Sequence, residues 1–387
     1  MGGSAADILI QDGSIALIGA GLAVPEGVAA EDAGGRIAIP GLVDAHTHLD
    51  KSLLGYPWYV NEVGPRLIDK IENEQRVKRE MGLDSYVQSM RQSIQSLGYG
   101  TTIIRSHVDV TPDVGIASIE GVMRTRRELA GMIDIEIVAF PQAGLMGREG
   151  MTQLMNQAMA AGADLVGGID PCGIEKDPKG HLDTLFHLAQ KHGKGIDIHL
   201  HEPGELGAFS MEMIFERVRA LGMQGKVAIS HAFCLGAPDW QATQHLIDTC
   251  AELDIPILTT SPPSREVPAV KRLRAAGVRM GAGVDGFRDT WGPYGNGDML
   301  ERAMLLGMKN NLRRDDEVAM ALHVCTRGGA AAMNRFNHDL VQGGQADVVL
   351  LEGETLAEAV VMHAPRFLVV KAGAVVARNG VCLKASP

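Results

Sequence analysis

Histidines recur at the ends of apolar runs in this sequence, and they are the residues best able to do chemistry. His46 and His48 follow the run "IPGLVDA", His199 lies in "GIDIHLHE", and His231 closes "KVAISH". Asp285 closes a further run, "MGAGVD". Imidazole and carboxylate groups bind zinc and ferrous iron alike. Their repeated position indicates one metal-binding cluster rather than scattered surface histidines.

The spacing of His46 and His48 suits a shared metal ion. Residues two apart in a strand face the same side, so both rings can bind one ion. Adding His199 and Asp285 gives four ligands around a position open to water, an arrangement that lowers the pKa of bound water toward about 7. The run "ADLVGGIDPCG" offers no lysine to bridge a second metal. We therefore predict one divalent ion, Zn²⁺ or Fe²⁺.

Two residues beside these ligands could transfer protons. Glu202 stands three residues after His199, where its carboxylate could carry a proton to a ring nitrogen or a leaving amine. The alternative for Glu202 is an ordinary capping or solvated carboxylate. His231 could be a base or a fifth ligand, and we favour the base because four ligands are already assigned. Three further residues have no assigned role: Lys51, His107 and His201.

Eight short apolar runs must position these residues. They are "GLVDAH", "TTIIRSHVDV", "IDIEIVAF", "ADLVGGI", "GIDIHL", "KVAISH", "IPILTT" and "VRMGAGVD". Their continuous hydrophobicity is typical of buried parallel strands, and amphipathic segments that end at Gly separate them. The count predicts an α/β fold, a (β/α)8 TIM-type barrel over residues 41–338, with catalytic residues at the carboxyl ends of its strands. We expect an irregular loop over roughly residues 50–80.

Both ends of the chain differ from this middle part. Residues 7–39 and 346–380 contain short β-type runs interrupted by Gly, and "QDGSI" and "KAGAV" indicate hairpin turns. We predict that residues 1–40 and 339–387 together form one small β-sandwich domain.

Composition excludes several classes of partner. The 387 residues carry a formal net charge of -11, and no dense run of Lys and Arg marks a nucleic-acid or acidic-membrane surface. No signal peptide or stretch of 18 apolar residues occurs, and the five cysteines form no C-x-x-C pair. We expect a cytoplasmic homo-oligomer that acts on a small molecule.

The whole chain resembles the amidohydrolase superfamily, most nearly its cytosine deaminase branch. The segments "IDIEIVAFPQAG", "GIDIHLHE", "ISH" and "VDGFRDTW" follow in family order. Other stretches, "VDAHTHLDKS", "SHAFCLG" and "RDTWGPYGNGDM", are at least as similar to N-isopropylammelide isopropylaminohydrolases, which remove an alkylamine from a triazine ring. The resemblance implies a barrel hydrolase whose metal ligands are His46, His48, His199 and Asp285.

The resemblance also implies roles around the substrate. Gln142 is expected to bind the amide edge of a flat heterocycle, and Trp291 to pack near it. Glu202 is the implied proton shuttle, and His231 with Asp285 activates the water. Cytosine deaminases carry Asp at the positions of His201 and Gly286, so we expect a changed pocket here.

The predicted activity is hydrolytic deamination of a small nitrogen heterocycle, such as an amino-pyrimidine, an amino-triazine or another cyclic amidine. Metal-bound hydroxide would attack the ring carbon that bears the amine. Two enzymatic alternatives are release of an alkylamine and hydrolytic opening of a cyclic amide. An alternative of another class is a scaffold barrel without catalysis, which the complete set of ligands and proton shuttle disfavours.

Overall fold

The computed structural model describes residues 5–386, and its elements follow the predicted order. Three strands come first: β1 (Asp7–Gln11), β2 (Ser14–Gly19) and β3 (Ile37–Pro40). The eight strands of the central sheet are β4 (Leu42–Thr47), β5 (Thr101–Asp109), β6 (Asp134–Phe140), β7 (Leu165–Ile169), β8 (Gly195–His199), β9 (Val227–Ser230), β10 (Ile257–Thr259) and β11 (Met280–Ala282). These strands coincide with the eight apolar runs that predicted them.

These eight strands pair in parallel in the order of the sequence and close into a barrel. The backbone N–H of Asp285 donates to the carbonyl oxygen of His46 at 2.9 Å, beside a parallel bridge between Thr47 and Asp285. Every residue of β4, β5 and β9 is buried, because parallel strands are covered on both faces. The predicted (β/α)8 fold is confirmed, and the ends of its first and last strands lie side by side.

Helices connect and cover these strands. Twelve occur in the described part of the chain: α1 (Leu67–Met81), α2 (Ser85–Gly98), α3 (Ala117–Glu128), α4 (Met151–Ala161), α5 (Pro178–His192), α6 (Gly204–Leu221), α7 (Trp240–Glu252), α8 (Val270–Ala275), α9 (Met299–Lys309), α10 (Asp315–Val324), α11 (Arg327–Ala332) and α12 (Leu356–Val361). A 3-10 turn spans Phe233–Gly236. Gly193 caps the end of helix α5, and its φ of 64° is the left-handed conformation that glycine adopts without steric cost.

The segment after β4 differs from the predicted irregular loop. Residues 51–66 are irregular, but residues 67–81 form helix α1. Only Ile71, Glu74 and Val77 of this helix are buried. Because one of the three buried positions is a glutamate, the apolar repeat that reveals a helix in a sequence is weak here.

The last four strands return to the start of the chain. They are β12 (Val348–Leu351), β13 (Arg366–Lys371), β14 (Ala374–Arg378) and β15 (Val381–Cys382). The sheet order is β15-β14-β13-β12-β3, with β3 antiparallel to β12, so both ends of the chain share one antiparallel sheet. Ile8 and Ile10 of the β1–β2 hairpin pack against its apolar face. The sequence had predicted that both ends of the chain join in one small β structure.

The domain limits at 40/41 and 338/339 stay a prediction, as do the homo-oligomeric state and the cytoplasmic location. Within residues 5–386, no helix combines the length and the apolar character that crossing a bilayer requires.

Candidate metal centre and active site

Five histidine rings crowd the carboxyl ends of the barrel strands. The ring centroid of His46 lies 4.3 Å from that of His107, 4.6 Å from His199, 4.7 Å from His231 and 5.6 Å from His48. All five are buried. Burial, and then the neighbouring rings, hold the pKa of His107, His199 and His231 well below the usual value. Neutral imidazoles keep a lone pair that a metal can take.

The hydrogen bonds of His46 leave one of its nitrogens for a metal. The Ser230 hydroxyl donates to Asp197 Oδ1 at 2.6 Å, so its oxygen accepts from His46 Nδ1, 2.8 Å away. The ring proton then lies on Nδ1, and Nε2 keeps its lone pair. His46 Nε2 is buried and has no hydrogen-bond partner among residues 5–386. A ring held from behind by a hydroxyl and a carboxylate is typical of metal-binding histidines.

His48 and Asp285 complete one group of candidate ligands with His46. His48 Nδ1 lies 3.0 Å from the carbonyl oxygen of His107, to which it must donate, so Nε2 is its free ligand atom. The Asp285 Oδ1 atom lies 3.3 Å from His48 Nε2 and 3.6 Å from His46 Nε2. A tetrahedral ion about 2.1 Å from each ligand separates its ligand atoms by roughly 3.4 Å. These three residues therefore fit one ion.

His199 belongs to a second group, which His46 and His231 share. Its ring stacks on Phe140, with centroids 4.1 Å apart, and neither ring nitrogen has a hydrogen-bond partner in the described chain. The predicted ligand set spans both groups, and His46 joins them. That set stays a prediction: His46, His48, His199 and Asp285.

His231 and Asp285 have an unusual backbone conformation. Both lie in the left-handed region, with φ of 68° and 64°. Residues other than glycine seldom do so, and such positions concentrate at functional sites. The His231 ring keeps a buried Nε2 without a partner among residues 5–386, while Nδ1 lies 3.4 Å from the Thr260 hydroxyl. It is thus able to accept a proton.

His201, which had no assigned role, stacks on His231 with ring centroids 4.3 Å apart. Its Nδ1 lies 2.8 Å from Asp170 Oδ2. Burial alone lowers the pKa of His201, but the Asp170 carboxylate raises it above its usual value. Asp170 therefore fixes this ring beside the cluster.

A third group of possible ligands lies around His107. His107 Nε2 is 3.7 Å from Asp197 Oδ2, and His46 is the third member. Arg105 already donates to the same Asp197 oxygen at 2.9 Å, so this carboxylate is compensated without an ion. Sequence reasoning missed Asp197 and Ser230. The signal that could have revealed Asp197 is its carboxylate inside the otherwise apolar strand "GIDIH".

Glu202 is anchored more firmly than its sequence position suggests. Its Oε1 accepts from the backbone N–H groups of Cys172 at 2.8 Å and Gly173 at 2.7 Å, and its Oε2 accepts from the Ser210 hydroxyl. The carboxylate is buried and ties the loop after β7 to helix α6. This anchoring is a structural role, and the proton-shuttle role of Glu202 stays a prediction.

Lys51 is buried and forms no surface pair with Asp50. Its ammonium donates to Gln142 Oε1 and Asp109 Oδ1, each at 2.9 Å, and to Glu74 Oε1 at 3.2 Å. Burial alone lowers the pKa of Lys51, but the Asp109 and Glu74 carboxylates raise it above its usual value. Lys51 is therefore a charged group that uses all three of its donors.

Glu74 joins this network to the second predicted substrate residue. The indole N–H of Trp291 donates to Glu74 Oε2, while Glu74 Oε1 accepts from Lys51. Burial raises the pKa of Glu74 to about 8, against the opposite effect of Lys51. The side chains of Gln142 and Trp291 are thus linked through Lys51 and Glu74, although their contact with substrate stays a prediction.

Known proteins resemble this chain over nearly its whole length. Residues 105–378 match the Amidohydrolase family. N-isopropylammelide isopropyl amidohydrolase from Pseudomonas sp. strain ADP is 30% identical over 363 residues, which cover 90% of this chain and 88% of the relative. Two solved structures also superpose. N-isopropylammelide isopropylaminohydrolase from Burkholderia multivorans ATCC 17616 does so with a TM-score of 0.96 at 48% identity, over 99% of this chain and 97% of that one.

The second is 5-methylcytosine deaminase from Klebsiella pneumoniae liganded with 5-fluorocytosine. It superposes with a TM-score of 0.85 at 28% identity, over 96% of this chain and 94% of that chain. These likenesses confirm the resemblance that the sequence motifs predicted. The barrel, the histidine cluster at its mouth and the family match agree, and the chain belongs to the amidohydrolase family.

Proposed function

We propose that this chain hydrolyses the bond between a ring carbon and its amine nitrogen in an amino-triazine or a related amino-azine. Its general class follows from the family: it is a metal-dependent hydrolase that acts on carbon–nitrogen bonds in small nitrogen heterocycles. That confirms the predicted enzyme class. The observation that carries the proposal is the cluster of buried histidines with Asp285 at the barrel mouth.

A single divalent ion, Zn²⁺ or Fe²⁺, is the proposed cofactor. The residues fit it, because His46 and His199 hold buried ring nitrogens without partners in the described chain and Asp285 supplies a carboxylate. The proposed ligands are His46, His48, His199 and Asp285. An ion bound there lowers the pKa of water enough for hydroxide to form near neutral pH.

The chain's own groups would then move the protons. His231 is buried and neutral, and its free Nε2 accepts a proton from the attacking water. Asp285 is proposed to orient that water. Glu202 is proposed to return a proton to the leaving amine, since it is held in place directly after the strand that carries His199.

Gln142 and Trp291 are the proposed substrate contacts. Gln142 Oε1 accepts from Lys51, and both N–H groups of the Gln142 amide remain available to a ligand. It can therefore donate to a carbonyl oxygen or an unprotonated ring nitrogen. Trp291 would cover the ring, with its indole N–H held by Glu74.

Release of an alkylamine is the second candidate for the leaving group. Both N-isopropylammelide enzymes similar to this chain carry that activity in their names, at 30% and 48% identity. Ring opening of a cyclic amide is the weaker alternative, since neither of these two enzymes is named for it. The proposal therefore covers ammonia and alkylamines as products and keeps the ring intact.

A substrate screen with enzyme of measured metal content tests this proposal. Amino-triazines, N-alkylamino-triazines, amino-pyrimidines and cyclic ureas would be assayed for free ammonia, free amine and the ring chromophore. We expect amine release with a retained ring chromophore, and none from a His46→Ala control. Loss of the chromophore without free amine would contradict deamination, and inactivity on every amino-azine would contradict the substrate class.

A further inference from the structure

A cavity of about 390 Å³ opens beside the histidine cluster. Its wall includes His201 after β8, Phe233 after β9, and the segment 263–266 after β10. The cavity therefore lies at the carboxyl ends of three barrel strands, the end that carries His199 and His231. His201 lines the cavity and its ring stacks on His231, so this side chain borders both the cavity and the cluster. A substrate whose ring reaches the cluster can extend a substituent into this space.

The wall of the cavity is not suited to a purely apolar group. Arg265, Lys309 and Glu266 line it together with Phe233 and Pro263. The guanidinium carbon of Arg265 lies 6.0 Å from the centre of the Phe233 ring, and Lys309 Nζ donates to the Pro263 carbonyl oxygen at 3.3 Å. No carboxylate of residues 5–386 lies within 4.0 Å of either cation. Both positive groups are therefore available to a ligand.

The charges of the cavity favour an anion. Arg265 and Lys309 contribute two positive charges, and Glu266 contributes one negative charge. His201 is compensated by Asp170 behind it, so it is left out of this balance. An arginine fork matches a carboxylate with two parallel hydrogen bonds, and a nearby lysine adds a second positive charge. Phe233 and Pro263 offer apolar contact to the carbons between ring and carboxylate.

We propose that this cavity binds a carboxylate-bearing substituent of the heterocycle, with Arg265 as its main anchor and Lys309 as the second. This inference rests on the proposed function and narrows its substrate class to acidic amino-azines. Where the substituent is on the amine, hydrolysis forms a ring C–O bond and breaks the ring C–N bond. The released amine keeps the carboxylate and gains a proton from water.

Three amino-triazines that differ only in the amine substituent provide the test. The substituents are propyl, which is neutral, carboxyethyl, which is anionic, and aminoethyl, which is cationic. We expect the metal-loaded enzyme to favour the carboxyethyl compound over the propyl compound by about ten-fold in kcat/KM, the effect of one hydrogen bond to a charged group. Arg265→Leu should remove that preference, so that kcat/KM for the carboxyethyl compound falls to the value for the propyl compound.

Arg313, an exposed arginine outside the cavity, supplies the matched control as Arg313→Leu. Three results would overturn the proposal: equal turnover of the three compounds, preference for the aminoethyl compound through Glu266, or an equal loss of turnover on all three with Arg265→Leu.

Calorimetric binding of the same compounds tests the cavity assignment separately from the proposed reaction. Arg265-dependent binding of the carboxyethyl compound without turnover keeps the cavity assignment and contradicts the proposed reaction. Absence of that preference in binding contradicts the cavity assignment, whatever the turnover.

Discussion

The ammonium of Lys51 donates to the side-chain oxygen of Gln142 at 2.9 Å, and this contact fixes the orientation of the Gln142 amide. Lys51 uses one of the two lone pairs of that oxygen, whereas both N–H groups of the amide remain available to a ligand. A residue proposed from the sequence as a contact for an amide edge is thereby best placed to donate.

Gln142→Glu tests this donor role. The variant keeps an acceptor for Lys51 but removes both amide donors, so we expect kcat/KM on an active amino-azine to fall by about 10- to 100-fold. Steady-state kinetics at equal metal content measures it. The exposed Gln241→Glu serves as control. An unchanged kcat/KM would mean that the Gln142 amide does not contact the substrate.

Lys51→Met should lower the free energy of unfolding by about 3 kcal/mol, because it leaves Glu74 buried without its paired ammonium and removes one of the two lysines, Lys51 and Lys78, that pair with Asp109. Urea denaturation of the metal-loaded protein measures the change. Lys179→Met is the comparison, since Lys179 is 79% exposed and pairs with Asp183 on a helix surface, where about 1 kcal/mol or less is expected. Equal losses in the two variants would show that the Lys51 network contributes no buried ion-pair energy.

Ser230→Ala should weaken metal binding without removing a ligand. The Ser230 hydroxyl holds His46 Nδ1, and loss of such a contact typically costs about 10- to 100-fold in metal affinity. Competition with a chelator of known affinity measures it. Ser93→Ala, which removes a buried hydroxyl on α2, is the control and should leave the affinity unchanged. The same affinity in both variants would exclude Ser230 from the support of the metal site.

Glu202→Gln should keep the bound metal and lower kcat by about 10²- to 10⁴-fold, the range for loss of a proton-transfer group. The loop after β7 should stay anchored, because the glutamine oxygen can still accept from the Cys172 and Gly173 N–H groups while its NH₂ donates to the Ser210 hydroxyl oxygen. Ser210→Ala keeps the carboxylate and removes one donor, so we expect its kcat to stay within about ten-fold. Near-normal kcat of folded, metal-loaded Glu202→Gln would leave Glu202 only its anchoring role.

His323 on α10 makes stability depend on pH away from the active site. Burial first, and then Arg274 and Arg327, lower the pKa of His323 to about 4. In the unfolded chain it is about 6.5, so the unfolded state binds the proton more readily between these values. The contribution of His323 to the free energy of unfolding should therefore be constant above about pH 6.5 and decrease as the pH falls toward 4. His323→Gln should reduce that slope in urea titrations, and an unchanged slope would exclude this residue as its source.

The barrel and the position of its histidines were predictable from sequence because parallel strands buried on both faces leave continuous apolar runs. Their carboxyl ends must then converge at one end of the barrel. His46, His199, His231 and Asp285 could be placed together on that ground alone. Helix α1 could not be predicted from the sequence, because Glu74 occupies a buried position where the helical pattern requires an apolar residue.

The supporting contacts of the site were beyond sequence reasoning for a different reason. Ser230 and Asp197 act on His46 only because side chains from three separate strands meet inside the barrel. No spacing within one strand records such a meeting. The partners of Lys51 likewise come from a helix and from two other strand ends. The division of the candidate ligands into groups that share His46 depends on side-chain orientations, which spacing does not specify.

The hydrogen bond from Asp285 N–H to the His46 carbonyl joins the first and last strands of the barrel. The same two residues are candidate ligands of one ion, so an ion bound by their side chains crosslinks the seam where the backbone closes. Loss of the ion and opening of the barrel are then coupled, since a ligand that binds only the folded form stabilises it. Amide exchange of Asp285 thereby becomes a measure of metal occupancy, with slow exchange in loaded protein and faster exchange after chelation.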